Sequence, residues 1–367
     1  HLKALQTAVA IIQYGLIGNN IILIVQMLTI SRYNVASLIV ASGFGYGLSI
    51  ALMAVLAHRF FSWFKSSRNY LVFSYAFSSA LIALNGVFTL MYIVDVLSNG
   101  PALVRPHPGF NTPFLVGTPM TVTLTIGYIA SSIVSFSVSW VATALLLRHY
   151  SKKLGVIKYW FIVSIPLIYF LIQFQPLFLN LFLTFSQSEP IAFSILYTLI
   201  FTMSKATGGV LFGIAFWIIT RRLPRTMIIR RYMIMSAFGF VLLFVSNQGV
   251  VLVSSPYPPF GLPTISFIGL ASYLVLAGIY SSAISAAEDS KLRQSIRQFA
   301  INEPKLLDSI GTAQMEQEIE KRVLALTKQN QDRMEEESGI QPSLTEEDMK
   351  EYLQQVIEEV KKDRLKP

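Results

Sequence analysis

Lys205, in Thr202-Met203-Ser204-Lys205-Ala206-Thr207-Gly208-Gly209, is the one strongly ionisable side chain set deep in a long apolar run. A charge at the centre of a bilayer costs about 3 kcal/mol on insertion scales and more on an isolated helix, so it must face the protein interior or a wet cavity. Lys205, with Ser204 beside it, is therefore a candidate for a ligand site or a transport path. An amine there can hold an anion, couple to a proton or condense with an aldehyde. The competing role is structural: a long side chain that snorkels, or bonds amides and carbonyls, and so ties helices together.

A second constellation consists of amides within apolar stretches: Asn19, Asn20, Asn85, Gln173, Gln175, Asn180, Asn247 and Gln248. Side chains of this kind bond across helices rather than face lipid, at about 0.6 kcal/mol per contact. Pro176 follows Gln175 and frees a backbone carbonyl on its own helix, which kinks a span or exposes a polar group. Together with Lys205 the amides are candidates to line a polar cavity. The membrane half holds just two acids, Asp95 near the outer end of a span and Glu189 in a short loop, and neither falls at the depth of Lys205.

Other chemistry has no anchor. The chain contains no cysteine, which removes disulfides, thiolate metal sites, iron–sulfur ligation and any thiol nucleophile. His58 and His149 each sit beside an arginine at the end of a span, His107 lies in Arg105-Pro106-His107-Pro108, and His1 begins the chain, so no haem pair or zinc cluster is expected. There is no G-x-S-x-G elbow, no H-E-x-x-H and no Walker motif. Gly43-x-Gly45-x-Gly47 and Gly208-Gly209 lie in apolar runs, where glycine permits close helix contact rather than a phosphate cradle. The expectation is a protein that is not an enzyme, with no cofactor and no metal.

These residues need elements to hold them, and composition says which. Hydrophobic residues make up 53% of the 367, mean hydropathy is +0.55 and charged residues supply 13%, about half the share in a soluble domain. Eight stretches are apolar and long enough to cross about 30 Å of hydrocarbon, near 5–30, 36–61, 70–97, 120–147, 159–184, 191–220, 232–254 and 264–286. The runs are continuously apolar rather than alternating, which argues against a β-barrel. The fold class expected is all-α: a polytopic membrane helical bundle (1–286) followed by a charged, amphipathic helical tail (287–367).

Charge sets the orientation. Up to residue 285 there are two acids against 16 Lys and Arg, whereas residues 286–367 carry 18 acids and 13 bases. The excess of positive charge thus lies beside membrane spans, as expected for orientation and contact with anionic head groups, and implies no nucleic acid. It gathers in three loops: His58, Arg59, Lys65 and Arg68; Arg148, Lys152, Lys153 and Lys158; Arg221, Arg222, Arg225, Arg230 and Arg231. These loops are expected in the cytoplasm, and with eight spans both termini follow them there, in the plasma membrane.

The spans on either side of those loops share spacings. Tyr70/Ser74/Asn85, Trp160/Ser164/Gln175 and Tyr232/Ser236/Asn247 each place an aromatic residue, a serine four on and an amide fifteen on. The preceding spans place Ser42, Ser131 and Ser204 seventeen residues before Arg59, Arg148 and Arg221. Three matches of each kind suggest helix-hairpin repeats that bring an amide and a hydroxyl to similar depth, an arrangement found in transporters and also in proteins that transport nothing.

The tail is read as a break around Asn302-Glu303-Pro304 and a helix from near Thr312 with an apolar stripe at Met315, Ile319, Val323 and Leu326, a short coiled-coil seam. Gly339 and Pro342 end it. A last helix starts at the capping box Ser343-x-x-Glu346 and shows Met349, Tyr352, Leu353, Val356 and Val360 on one face. Such stripes must be buried against the chain itself, another copy or a partner protein.

Ser255-Pro256-Tyr257-Pro258-Pro259-Phe260-Gly261-Leu262-Pro263 with its following span, and Leu306-Leu307-Asp308-Ser309-Ile310-Gly311-Thr312-Ala313, resemble segments of uncharacterised multi-spanning membrane proteins of archaea. The resemblance covers about the last third of the chain and implies a host group but no activity. Three functions fit the residues: a sensor or signalling module that couples the bundle to a partner through the tail; a transporter or channel with a polar path around Lys205; and an accessory or scaffold subunit. The partners implied are the lipid bilayer and a protein, or a second copy, held by the tail.

Overall fold

The computed structural model describes residues 2–30, 34–99, 119–172, 174, 188–223, 228–247, 265–288 and 306–338. All regular structure among them is helical: α1 (Leu2–Ile30), α2 (Val35–Ser67), α3 (Tyr70–Asn99), α4 (Pro119–Leu147), a 3₁₀ turn (Arg148–Tyr150) into α5 (Ser151–Leu154), α6 (Val156–Ile172), α7 (Pro190–Arg222), α8 (Ile228–Ser246), α9 (Ile268–Glu288) and α10 (Leu306–Ser338). Seven of these, α1 to α4 and α7 to α9, are long and apolar enough to cross a membrane, the pattern of an integral multi-pass protein. The expected span 159–184 is represented by α6, whose 17 residues cover about 25 Å, and its second half lies outside the described residues.

Local chemistry fixes the ends. Asn34 caps α2 by accepting from the amides of Ala36 (3.0 Å) and Ser37 (3.4 Å). At the other end Arg68 takes a left-handed conformation (φ 51°) and its amide closes on the Phe64 carbonyl at 2.8 Å. Asn69 then caps α3 through the Leu71 amide at 2.9 Å. A two-residue connection therefore turns α2 into α3 with few orphaned backbone groups, which a bilayer would not solvate.

Packing closes a circuit of six helices: α2 on α3, α3 on α4, α4 on α7, α7 on α8, α8 on α9, and α9 back on α2. α6 lies against α4 and α7, and α1 against α2 and α9. One hydrophobic core runs through the circuit and includes Tyr46, Phe60, Trp63, Phe136, Phe212, Phe216, Phe240 and Phe244. The outer helices keep large apolar side chains exposed, Tyr14 at 76% on α1 and Ile157 at 86% on α6, as a face turned to lipid would.

Small residues set the closeness of α7, α8 and α9. A Cβ on Gly209 would stand 3.1 Å from the Val241 carbonyl, and one on Gly239 would stand 2.7 Å from the Val275 amide. Hydroxyls fill the α3–α4 seam, where Ser78 and Ser139 bond at 2.7 Å and Ser139 and Thr143 return bonds to their own helix. Gly45 approaches the Ile265 carbonyl, whereas Gly43 and Gly47 face open space.

The start of α10 belongs to the bundle. Leu306, Leu307, Ile310 and Ala313 are buried in the common core, and the helix packs on α9, α2 and α3 at the end where the basic loops gather. It begins at Leu306, six residues before the Thr312 start expected from sequence, because Gly311 is a packing residue here: a Cβ on it would stand 2.7 Å from the Ala286 Cβ.

Candidate functional site

Inside the circuit a buried polar cluster draws on α2, α3, α4 and α7 and on Asn247, the residue that follows α8. α7 supplies Lys205, 3% exposed, sixteen residues or about 24 Å of helix before Arg221. Its Nζ donates to the Asn247 backbone carbonyl at 3.1 Å and to the Tyr128 hydroxyl at 3.3 Å, and it stands 5.5 Å from the Tyr128 ring centre.

The local fold explains why that carbonyl is available. α8 ends at Ser246, and the Asn247 amide still closes on the Leu243 carbonyl at 2.9 Å, so the Asn247 carbonyl sits at the negative end of the α8 dipole. An ammonium at a helix C-terminus is the favourable pairing. The Asn247 side chain extends the network: its Oδ1 accepts from the Tyr46 hydroxyl on α2 at 3.3 Å and its Nδ2 donates to Asn85 Oδ1 on α3 at 3.1 Å. Asn85 Nδ2 donates in turn to the hydroxyls of Ser131 (3.0 Å) and Ser132 (2.9 Å) on α4. Asn85 also offers its backbone carbonyl to Thr89 at 2.6 Å, and Tyr92 stacks on Tyr128 at 5.6 Å.

Both acceptors that Lys205 Nζ meets here, the Asn247 carbonyl and the Tyr128 hydroxyl, are neutral oxygens. Glu189 is an exposed residue at the head of α7, sixteen residues from Lys205, and Asp95 lies ten residues beyond Asn85, about 15 Å along α3. Among the described residues no group of three or more His, Asp or Glu side chains is placed to hold a metal ion. A buried amine in such a site can bind an anionic or strongly accepting group or change its protonation.

Of the residues expected from sequence, Lys205, Asn85 and Asn247 meet in this cluster, with Ser204 wholly buried on the same helix. Asn19 and Asn20 do not join it in the bonds they make. Asn19 Nδ2 reaches the Ser37 carbonyl at 3.4 Å while its Oδ1 accepts from the Ser37 hydroxyl at 2.5 Å; Asn20 Nδ2 reaches Ser266 Oγ at 2.8 Å. Both fasten α1 to its neighbours, and they do so because a peripheral helix must spend its amides on the seams it touches. Gln173, Gln175 and Gln248 lie outside the described residues. Tyr46, Tyr128 and Ser132 were not anticipated; a tyrosine in mid-span needs a partner for its hydroxyl, which is the one signal that points to them.

A second polar group joins α10 to the bundle. Trp63 Nε1 donates to Gln314 Oε1 at 3.0 Å, Gln317 Nε2 to Ser62 Oγ at 2.8 Å and Asn69 Nδ2 to Ser309 Oγ at 2.7 Å, and the Ser66 hydroxyl bonds Glu316. Trp63 also stacks on Tyr280 of α9 at 6.5 Å, with Arg59 over the same tyrosine ring at 5.2 Å. On the expected tail stripe Met315 and Val323 are half-buried, while Ile319 (45%) and Leu326 (59%) are exposed. Tyr352, Leu353 and Val356 lie outside the described residues. Comparison with protein-family models, with curated proteins and with solved structures finds no match to this chain.

Proposed function

We propose that this chain is a non-enzymatic sensor or signalling protein of the plasma membrane, in which the Lys205 cluster responds to a ligand, a proton or lipid and α10 carries the response to a partner. The observation that supports this reading is the span of α2. Tyr46 contacts Asn247 in the cluster, and Ser62, Trp63 and Ser66, a further 16 to 20 residues along the same helix, hold α10. That separation is about 24 to 30 Å of continuous helix. α3 repeats the arrangement with Asn85 in the cluster and Asn69 on Ser309. A shift of either helix at the cluster moves the seat of α10 directly, which gives two sites and an element between them that both can bias.

The same reading places the basic loops and both termini in the cytoplasm, counts α6 with its continuation as an eighth span, and puts the host among organisms whose membrane proteins the last third resembles. Its test is protease accessibility of residues 306–338 in right-side-defined vesicles over a range of pH and small carboxylate or phosphate anions. A stimulus that changes cleavage in the wild type and not in Lys205→Met is the expected result; cleavage indifferent to every stimulus removes the sensor reading.

A transporter is the second reading, favoured by one observation: Asn85 and Asn247, which occupy matching positions in two of the three expected hairpin repeats, bond to one another beside Lys205. It requires that Lys205→Met abolish a flux in proteoliposomes. Stoichiometric co-purification with a larger complex would instead favour an accessory or scaffold subunit.

A further inference from the structure

α10 is seated by its first turns. Ser309 bonds Asn69 at the head of α3, Gly311 lies against Ala286 of α9, and Gln317 bonds Ser62 near the end of α2. These contacts fall at the ends of three helices, on the side of the bundle where Arg59, Lys65 and Arg68 stand. Ser62 is three residues past Arg59, about 4.5 Å of helix, so the seat lies at the level of lipid head groups beside a basic loop.

The stretch that follows, residues 319–329, is about 16 Å of helix with two unlike sides. Ile319, Arg322, Leu326 and Gln329, spaced by three and four, form one exposed line, and Lys321, Ala325 and Lys328 form another beside it. Glu320, Val323, Leu324 and Thr327 are half-buried on the other side. The acids nearest the seat are engaged: the Ser66 hydroxyl bonds Glu316, and Gln314 Nε2 donates to Glu318 Oε1 at 3.0 Å. The exposed side of residues 319–329 therefore carries three cations and three apolar side chains and no acid.

We infer that this side of α10 rests on the anionic surface of the bilayer that holds the bundle, with Lys321, Arg322 and Lys328 on head-group phosphates and Ile319, Ala325 and Leu326 at the acyl boundary. Cations and apolar groups on one side of a helix suit an interface, where charged heads reach phosphate while their stems and apolar neighbours leave water. A second copy packed in parallel would set the three cations against the same three. An apolar protein groove would leave them uncompensated. Asp332, Glu335, Glu336 and Glu337 follow in sequence and are repelled by the same surface, which limits the contact to residues 319–329. The inference goes beyond the signalling reading and does not need it.

The absence of cysteine makes a direct test clean. Full-length protein carrying Ala325→Cys or Thr327→Cys, two positions on nearly opposite sides of α10, is labelled with an environment-sensitive fluorophore. It is placed in nanodiscs of phosphatidylcholine with or without phosphatidylglycerol, and quenching by lipid with a nitroxide near the head group is measured. With phosphatidylglycerol present, the label at Ala325→Cys should be quenched about threefold or more over that at Thr327→Cys, and high salt should weaken the effect. Adding Lys321→Gln, Arg322→Gln and Lys328→Gln to Ala325→Cys should remove most of the quenching, since each cation near an anionic surface is worth about fivefold. Equal quenching at the two positions, quenching unchanged without phosphatidylglycerol, or none in either lipid would overturn the inference. Energy transfer between donor- and acceptor-labelled copies of Ala325→Cys in vesicles, without lipid quenching, would assign this side to a second copy and overturn it too. No stimulus enters these readouts, so a failed sensor test and a failed lipid contact are separable.

Discussion

Asn85 and Asn247 are 162 residues apart in sequence and share a hydrogen bond of 3.1 Å at the centre of the helix circuit. Through it Tyr46, Lys205, Ser131 and Ser132 become one network, and α2, α3, α4 and α7 are tied to the residue that follows α8. A double-mutant cycle with Asn85→Ala and Asn247→Ala should therefore show coupling of about 0.6 kcal/mol and up to about 1.7 kcal/mol, the range for interhelical bonds in membranes. Unfolding in mixed detergent followed by circular dichroism measures it. Additive single effects would mean the two amides act independently.

Lys205 separates a functional cluster from a structural one by the sign of a stability change. Burying an ammonium among neutral oxygens is costly, and an apolar side chain of similar shape removes that cost. If the lysine is kept for function, Lys205→Met should be as stable as the wild type or more stable by up to about 3 kcal/mol, with unchanged helicity and no response of α10 to stimulus. A loss of more than about 1 kcal/mol would make Lys205 a structural tie that its hydrogen bonds outweigh the desolvation to keep.

Much of this organisation is legible in the sequence, and the parts that are not have physical reasons. Long apolar runs give the spans, and an ionisable or amide group inside such a run announces itself, which is how Lys205, Asn85 and Asn247 are found. Which amides meet is a matter of helix order and rotation, and periodicity is silent on both; hence Asn19 and Asn20 read like members of the cluster but bond at the seams of α1. Tyr46 and Tyr128 are masked by counting as apolar. The early start of α10 is hidden by Gly311, a weak helix former retained where its missing side chain lets the helix lie on Ala286.

Two glycine substitutions should differ in sign. A Cβ on Gly278 would stand 2.5 Å from the Tyr232 carbonyl and 2.8 Å from the Ser236 amide, backbone that cannot yield without parting α8 from α9. Gly278→Ala should cost about 1–3 kcal/mol as overpacking. Gly43 has nothing within 4 Å, so Gly43→Ala should gain up to about 1 kcal/mol from helix propensity. Thermal unfolding of both variants in one detergent checks the contrast; similar losses would show that the α8–α9 crossing is not the tight point.

The seat of α10 can be loosened in graded steps through Trp63. Its ring is wholly buried, edge-on to Phe60 at 5.4 Å and stacked on Tyr280, while its Nε1 donates to Gln314 of the tail. Trp63→Phe keeps an aromatic ring in place and deletes one bond, so α10 should open about fivefold more often, the equivalent of about 1 kcal/mol. Trp63→Ala removes the ring as well, at about 3–5 kcal/mol, and should leave residues 306–338 open to protease in the resting state. Ile310→Glu attacks the same seat from the tail side by placing a carboxylate in the shared core, so it should match Trp63→Ala in protease sensitivity while sparing the bundle's own unfolding midpoint. If all three variants cleave like the wild type, the bonds from α2 do not hold α10, and the mechanical link from Tyr46 to the tail fails with them.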